Sequence, residues 1–336
     1  MLLSFPTTPR VLPALMAILL FYLPVFAQDY KYSHVGNDQP TKNNFVFGIA
    51  MLGGGSDLDE AFRWLCAKSG GGDILVLRAE GGDDYNAYIN GICKVNSVST
   101  LMIPDRASAQ DRKVAALIRR AQAIFIAGGD QGRYVNFWKG TPVEDALNAN
   151  IVQGKPIGGT SAGLAVLGEF VYGALADKAT DNDLTSAEVL NDPYFYRITL
   201  VHHFLKLSLL KNTLTDTHFA KRDRLGRSLG FLARIAQDGW STHPREIAVD
   251  EKSAVLVGAD GSARIVGSGK GAYFLEATEK PKLCSQGKPL TIRGIRTYHA
   301  PTGAIFDVKS WSGTAGESYT LSVVNGIIRS SGVAAY

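Results

Sequence analysis

The chain has 336 residues, 46% hydrophobic and 20% charged, with a formal net charge of +4. That composition excludes a disordered chain and supplies enough apolar material for one large domain with an appendage, or for two domains. The positive excess is small and its basic residues are scattered except in one segment, which argues against nucleic acid as a partner.

Residues 1–27 read as a secretory signal peptide. Arg10 precedes an unbroken apolar stretch from Val11 to Ala27, and Val25-Phe26-Ala27 sets small residues where a signal peptidase reads. Pro13, Pro24 and the short length disfavour a lasting bilayer span, so the expected product is secreted or periplasmic, with no stable membrane insertion. An exported chain can form disulfides, and of Cys66, Cys93 and Cys284 the expected pair is Cys66–Cys93. Without a Cys-x-x-Cys motif, no structural zinc is expected, nor any other metal or cofactor.

Residues 28–43 are polar and are expected to be irregular. From Asn44 strands and helices alternate. Phe45 to Leu52 reads as a buried strand, Gly53-Gly54-Gly55 as a turn, and Asp57 to Lys68 as a helix with Leu58, Ala61, Phe62 and Leu65 on one face. Strands follow at 74–77, 98–103 and 123–127, with helices at 85–93 and 109–121 between them. Thr141-Pro142-Val143-Glu144 has the form of a capping box with proline at the first helical position, and Gly154 closes that helix. A further strand, Lys155–Gly158, leads into Gly159-Thr160-Ser161-Ala162-Gly163. Such alternation implies a three-layer αβα sandwich on a mostly parallel sheet, with ligands at the carboxyl ends of the strands. Gly128-Gly129-Asp130-Gln131 and Ser161 both fall at such ends.

Gly159 to Gly163 fits G-x-S-x-G, in which a serine sits on a sharp strand-to-helix turn with its hydroxyl exposed. Small neighbours make room for the strained backbone, and the following helix aims N–H groups where an oxyanion would form. Beyond a strand at 198–202, Asp216-Thr217-His218-Phe219 and the cluster Lys221, Arg222, Arg224 and Arg227 form a compact charged segment. His218 is the best candidate base for Ser161; His202 and His203 lie in an apolar run, and His243 and His299 lie in a loop and in the tail. Glu251 is the preferred orienting acid, with Asp216 as the alternative. On a helix Arg224 and Arg227 would share a face, whereas Arg222 and Arg224 would diverge. Glu246–Asp250 and Ala254–Val257 read as paired strands around Glu251. From about residue 260 the alternation gives way to a β-rich tail.

These three motifs, in this order, resemble the cyanophycinase and dipeptidase E group of serine peptidases, which has a class I glutamine-amidotransferase-like sheet. The resemblance covers roughly Asn44 to Ser268. It implies a catalytic domain over 44–268 and a Ser161–His218–Glu251 triad; the β-rich extension over 269–336 is additional to the family's pattern. It further implies an oxyanion hole from Ala162 with Gly129 or Asp130, and a substrate pocket lined by Gln131, Asp216, Arg222, Arg224 and Arg227. The implied substrates are β-aspartyl-linked peptides, including the polymer of aspartate carrying arginine, and the assembly is a possible homodimer. Leu164 stands where a smaller residue is common, and Asp223 stands where glycine is usual. Other readings are an aspartyl dipeptidase, an esterase-like hydrolase and an inactive ligand-binding homologue.

Overall fold

The computed structural model describes residues 1–3, 30–41, 44–178 and 182–332. All but the first three residues of the expected leader lie outside that set. A ten-stranded sheet carries five parallel strands at its centre, in the order Ser97–Met102, Asp73–Arg78, Ala123–Ile126, Ile157–Thr160 and Gly48–Leu52. Strand Gly48–Leu52 shows why these segments pair. Ile49 and Met51 enter one hydrophobic core while Ala50 and Leu52 enter another, so a period of two buries both faces. Helices Asp59–Lys68 and Asp84–Ile92 cover one face; Arg112–Arg120, Gln131–Trp138 and Pro142–Val152 cover the other. At the last of these helices the cap differs in detail from the expected box. Thr141 accepts from the Val143 amide, but the Glu144 carboxylate takes the amide of Gly140 in place of that of Thr141.

The segment expected to be irregular contains a strand. Lys31–Gly36 pairs antiparallel with Ser97–Met102 and extends the sheet by one edge. Its polar sequence suits that place, because an edge strand with one solvated face needs few apolar side chains.

The expected pairing of the strands around Glu251 is not what forms. Arg245–Val249 joins a second, eight-stranded sheet, parallel to Thr213–Asp216 and antiparallel to Ala272–Ala277. Ser253–Gly258 joins the first sheet, antiparallel to Gly48–Leu52. The chain therefore changes sheets at Asp250-Glu251-Lys252. Alternation again divides the burial: Ile247 and Val249 face the core shared with the first sheet, and Ala248 packs under helix Leu225–Gln237. The β-rich tail is continuous with this frame. Ala272–Ala277, Ile292–Ala300, Glu317–Val324 and Ile327–Ser330 build the second sheet, while Ile305–Asp307 and Ser312–Thr314 extend the first.

Cys66 and Cys93 form a disulfide across 27 residues of sequence, tying helix Asp59–Lys68 to the end of Asp84–Ile92, and Cys284 is free and buried. Among the described residues no helix is long and apolar enough to cross a membrane. Closing the 27-residue loop between Cys66 and Cys93 limits the unfolded chain by about 3.5 kcal/mol in the chain-entropy view. Replacing both cysteines by serine should accordingly lower the denaturant midpoint in equilibrium unfolding, with the folded circular dichroism spectrum unchanged.

Candidate active site

Ser161 links strand Ile157–Thr160 to the short helix Ala162–Ala165 at φ 50 and ψ −120, a conformation costly for a residue with a side chain. Its neighbours explain how the turn is held. A Cβ on Gly159 would lie 2.4 Å from the Gly163 carbonyl group, and one on Gly163 only 1.9 Å from the Ile126 oxygen. The short helix thus leans directly on the adjacent strand, and only glycine allows the approach. Leu164, bulkier than expected at its position, is wholly buried in the core.

His218 follows strand Thr213–Asp216, also in the left-handed region at φ 46. Its Nε2 lies 2.7 Å from Ser161 Oγ, and its Nδ1 lies 2.7 Å from Glu251 Oε1. A carboxylate only accepts, so Nδ1 carries the proton and the Nε2 lone pair faces the serine hydroxyl. Burial pushes the imidazole below its ordinary pKa. The charges of Arg222 and Arg224 act in the same direction, against the Glu251 hydrogen bond. The bond to His218 in turn holds the Glu251 carboxyl below its usual value. Asp250, the neighbouring acid, instead caps the Lys221 amide at 2.9 Å.

The glycine turn read only as a connector is part of this site. The carbonyls of Leu52, Gly53 and Gly54 accept, in succession, the amides of Ser161 (3.1 Å), His218 (2.9 Å) and Lys252 (3.0 Å). Gly54, at φ 94, lies under the imidazole, and a Cβ there would fall 2.4 Å from His218 Cε1. The signal in the sequence was the run of three glycines ending the first core strand. Its partners, more than a hundred residues away, gave none.

A cleft of about 460 Å³ opens beside Ser161, with Gly129, Asp130, Gln131 and Ala162 in its lining. Ala162 begins the short helix, and Asp130 caps helix Gln131–Trp138 by accepting from the Gly132 amide at 2.7 Å. Gly129 has φ 150, and the Tyr134 hydroxyl donates to the carbonyls of Ala127 and Gly128 just before it. Among the described residues no group of three or more His, Cys, Asp or Glu is placed to hold a metal ion.

Arg222, Arg224 and Arg227 all line the cleft, but Asp216 does not. Asp216 is buried behind it, accepting from Arg227 Nε at 2.8 Å and from Arg227 Nη2, with Arg224 Nη1 at 3.4 Å. The substrate-lining role implied for it gives way to an anchoring one. A carboxylate so deep needs its charge matched, and the two guanidinium groups match it. Arg222 and Arg224 were expected to diverge, yet both reach Asp183, at 3.1 and 2.7 Å. The reason is Asp223, at φ 48, which turns the backbone before the helix starts. Aspartate tolerates this left-handed region better than most residues, which accounts for it where glycine is usual. Sequence reasoning missed Asp183, which lies in a loop far from the arginine cluster. It also missed Glu246, buried beside Asp216 with Ser228 donating to it and its pKa raised well above the usual value by burial.

The fold and this arrangement define an α/β protein of the serine-hydrolase type. Residues 85–223 match Peptidase family S51, in agreement with the resemblance of the sequence motifs to the cyanophycinase and dipeptidase E group of serine peptidases. A cyanophycinase from Synechococcus elongatus is 33% identical over 236 residues, which cover 66% of each chain. One from Geminocystis herdmanii (strain PCC 6308) is 24% identical over 288 residues, covering 80% of this chain and 96% of that one. This chain therefore spans just under two thirds of the length of the first relative. A solved peptidase from an acI-B1 Actinobacterium shares 16% identity and a TM-score of 0.47, covering 70% of this chain and 91% of that chain.

Gly54→Ala tests the support beneath the imidazole. The added methyl displaces His218, so turnover should fall by roughly 100-fold or more, as misplacement near 1 Å does elsewhere. Unfolding measured alongside should show a loss of about 1 kcal/mol for the positive φ.

Proposed function

We propose that this protein is an exported serine peptidase that hydrolyses β-aspartyl-linked peptides, including polymers of aspartate carrying arginine, through an acyl-enzyme. The observation that carries the reading is the continuous relay Ser161 Oγ–His218 Nε2–Nδ1–Glu251 Oε1, with 2.7 Å at each contact. His218 takes the Ser161 proton as the oxygen attacks the carbonyl, and Glu251 stabilises the imidazolium that forms. The Ala162 amide and that of Gly129 or Asp130 receive the negative charge on the tetrahedral oxygen. The imidazolium then protonates the leaving amine, and water admitted by the same base releases the acyl group. The depressed histidine pKa suits this cycle, because the base stays neutral and ready at mildly acidic pH.

The cleft favours a charged peptide over a simple ester. Arg222, Arg224 and Arg227 share its lining with Asp130, Asp177 and Asp183, so both signs of substrate charge meet a partner. The relatives named cyanophycinase point to the same substrate class. For export, the support is the disulfide, a bond kept in oxidising compartments, together with the apolar stretch 11–27.

Purified protein incubated with cyanophycin and with short β-aspartyl peptides, the products read by mass, should yield dipeptides. No cleavage of any of them would overturn the reading. Ser161→Ala should lower turnover by roughly 10,000-fold or more while thermal unfolding stays near that of the parent. In the pH profile of kcat/KM, the acid limb should lie below the ordinary histidine value of 6.5. Arg222→Ala should move it upward, because removing a nearby positive charge eases protonation of His218.

A further inference from the structure

The cleft-facing side of the arginine pair is already occupied by a group belonging to the chain. Asp183 presents one oxygen, Oδ2, to Arg222 Nη1 at 3.1 Å and to Arg224 Nη2 at 2.7 Å. Its carboxylate is about half exposed to the cleft, whereas the Arg224 side chain is 8% exposed.

Two further contacts show that Asp183 does not hold this wall together. Arg224 is anchored from behind, its Nη1 donating to the Thr217 carbonyl at 3.0 Å and to Thr217 Oγ1 at 3.1 Å, with Asp216 beyond. The segment bearing Asp183 is fixed separately by Arg197, which pairs with Asp177 and donates to the Asn182 carbonyl. Removing the Asp183 charge would leave both the guanidinium and the loop in place. Among the described residues, buried Arg224 Nε has no hydrogen-bond partner.

We propose that Asp183 is a tethered competitor on the anion-binding face of Arg222 and Arg224, so that a substrate carboxylate binds there by displacing it. Its two guanidinium partners hold the Asp183 pKa down to about 2, despite burial, so the competitor is charged throughout the working pH range. Selectivity follows from the tether. A ligand with one weakly placed carboxylate loses to an anion held permanently at hand, while a ligand anchored elsewhere in the cleft as well displaces it. The arrangement also keeps the buried Arg224 guanidinium neutralised on its cleft side when no substrate is bound.

The inference rests on reading this cleft as the substrate cleft, but its test needs no turnover. Succinate is titrated calorimetrically into the full chain carrying Ser161→Ala, with and without Asp183→Asn, and thermal unfolding is recorded for both. Asp183→Asn should tighten succinate about tenfold, the scale of one charge-assisted contact released. The gain should shrink on adding Arg222→Ala. Weaker binding, equal binding, or no binding to either protein overturns the proposal. So does a loss of affinity for arginine amide without a gain for succinate, which would make Asp183 a receptor for a substrate cation. If Asp183→Asn unfolds the chain, Asp183→Ser carries the same comparison; a second unfolded variant would show a structural role and overturn the proposal. Tightened succinate in a protein that cleaves no peptide would leave this inference standing and remove the proposed activity instead.

Discussion

The site depends on three successive carbonyl groups. Leu52, Gly53 and Gly54 each accept one amide, from Ser161, from His218 and from Lys252 beside Glu251. These three segments come from different places: the end of a parallel strand in the first sheet, the end of a strand in the second, and the crossing between the two. A run without side chains is what lets all of them converge. Any Cβ at Gly53 would meet the Asp250 carbonyl at 2.0 Å, and at Gly54 the imidazole itself. The distances within the relay are therefore set by backbone hydrogen bonds, which vary less than side-chain packing does. This fits the need of proton transfer for groups held within a few tenths of an ångström.

Around this frame the charges are arranged in depth. Glu246 lies deepest, its pKa raised by burial; Asp216 comes next, its pKa lowered by Arg227 and Arg224 against burial; and Asp183 is outermost, on the cleft side. Tyr172 and Phe231 place their rings 5.3 and 5.8 Å from Arg227, shielding it further. The same positive charges that favour anions in the cleft also press the His218 pKa downward. The charge of the cleft and the basicity of His218 are thus linked through the same side chains, and a change to one is felt by the other.

Much of this was legible in the sequence where the physics is local. Burial with a period of two or near four marked the core strands and helices, and the requirement for small residues around a strained serine marked Ser161. The compactness of the segment from Asp216 to Arg227 singled out His218. What escaped was set by contacts distant in sequence. Nothing near Glu251 shows that its two flanking strands enter different sheets, since both are short segments with apolar runs. The edge strand Lys31–Gly36 has too few buried side chains to display a period. Asp216 and Asp183 look alike as acids near arginines, and only the fold makes one an anchor and the other an occupant.

The division of the relay between two sheets orders events during synthesis. Ser161 and its turn belong to the first half of the chain, His218 arrives later, and the sheet that seats His218 is completed by strands ending at Ser330. A nascent chain of 200 residues holds the hydroxyl and the parallel core strands, yet lacks both His218 and Glu251. The hydroxyl, the imidazole and the carboxylate therefore meet only where both sheets have formed.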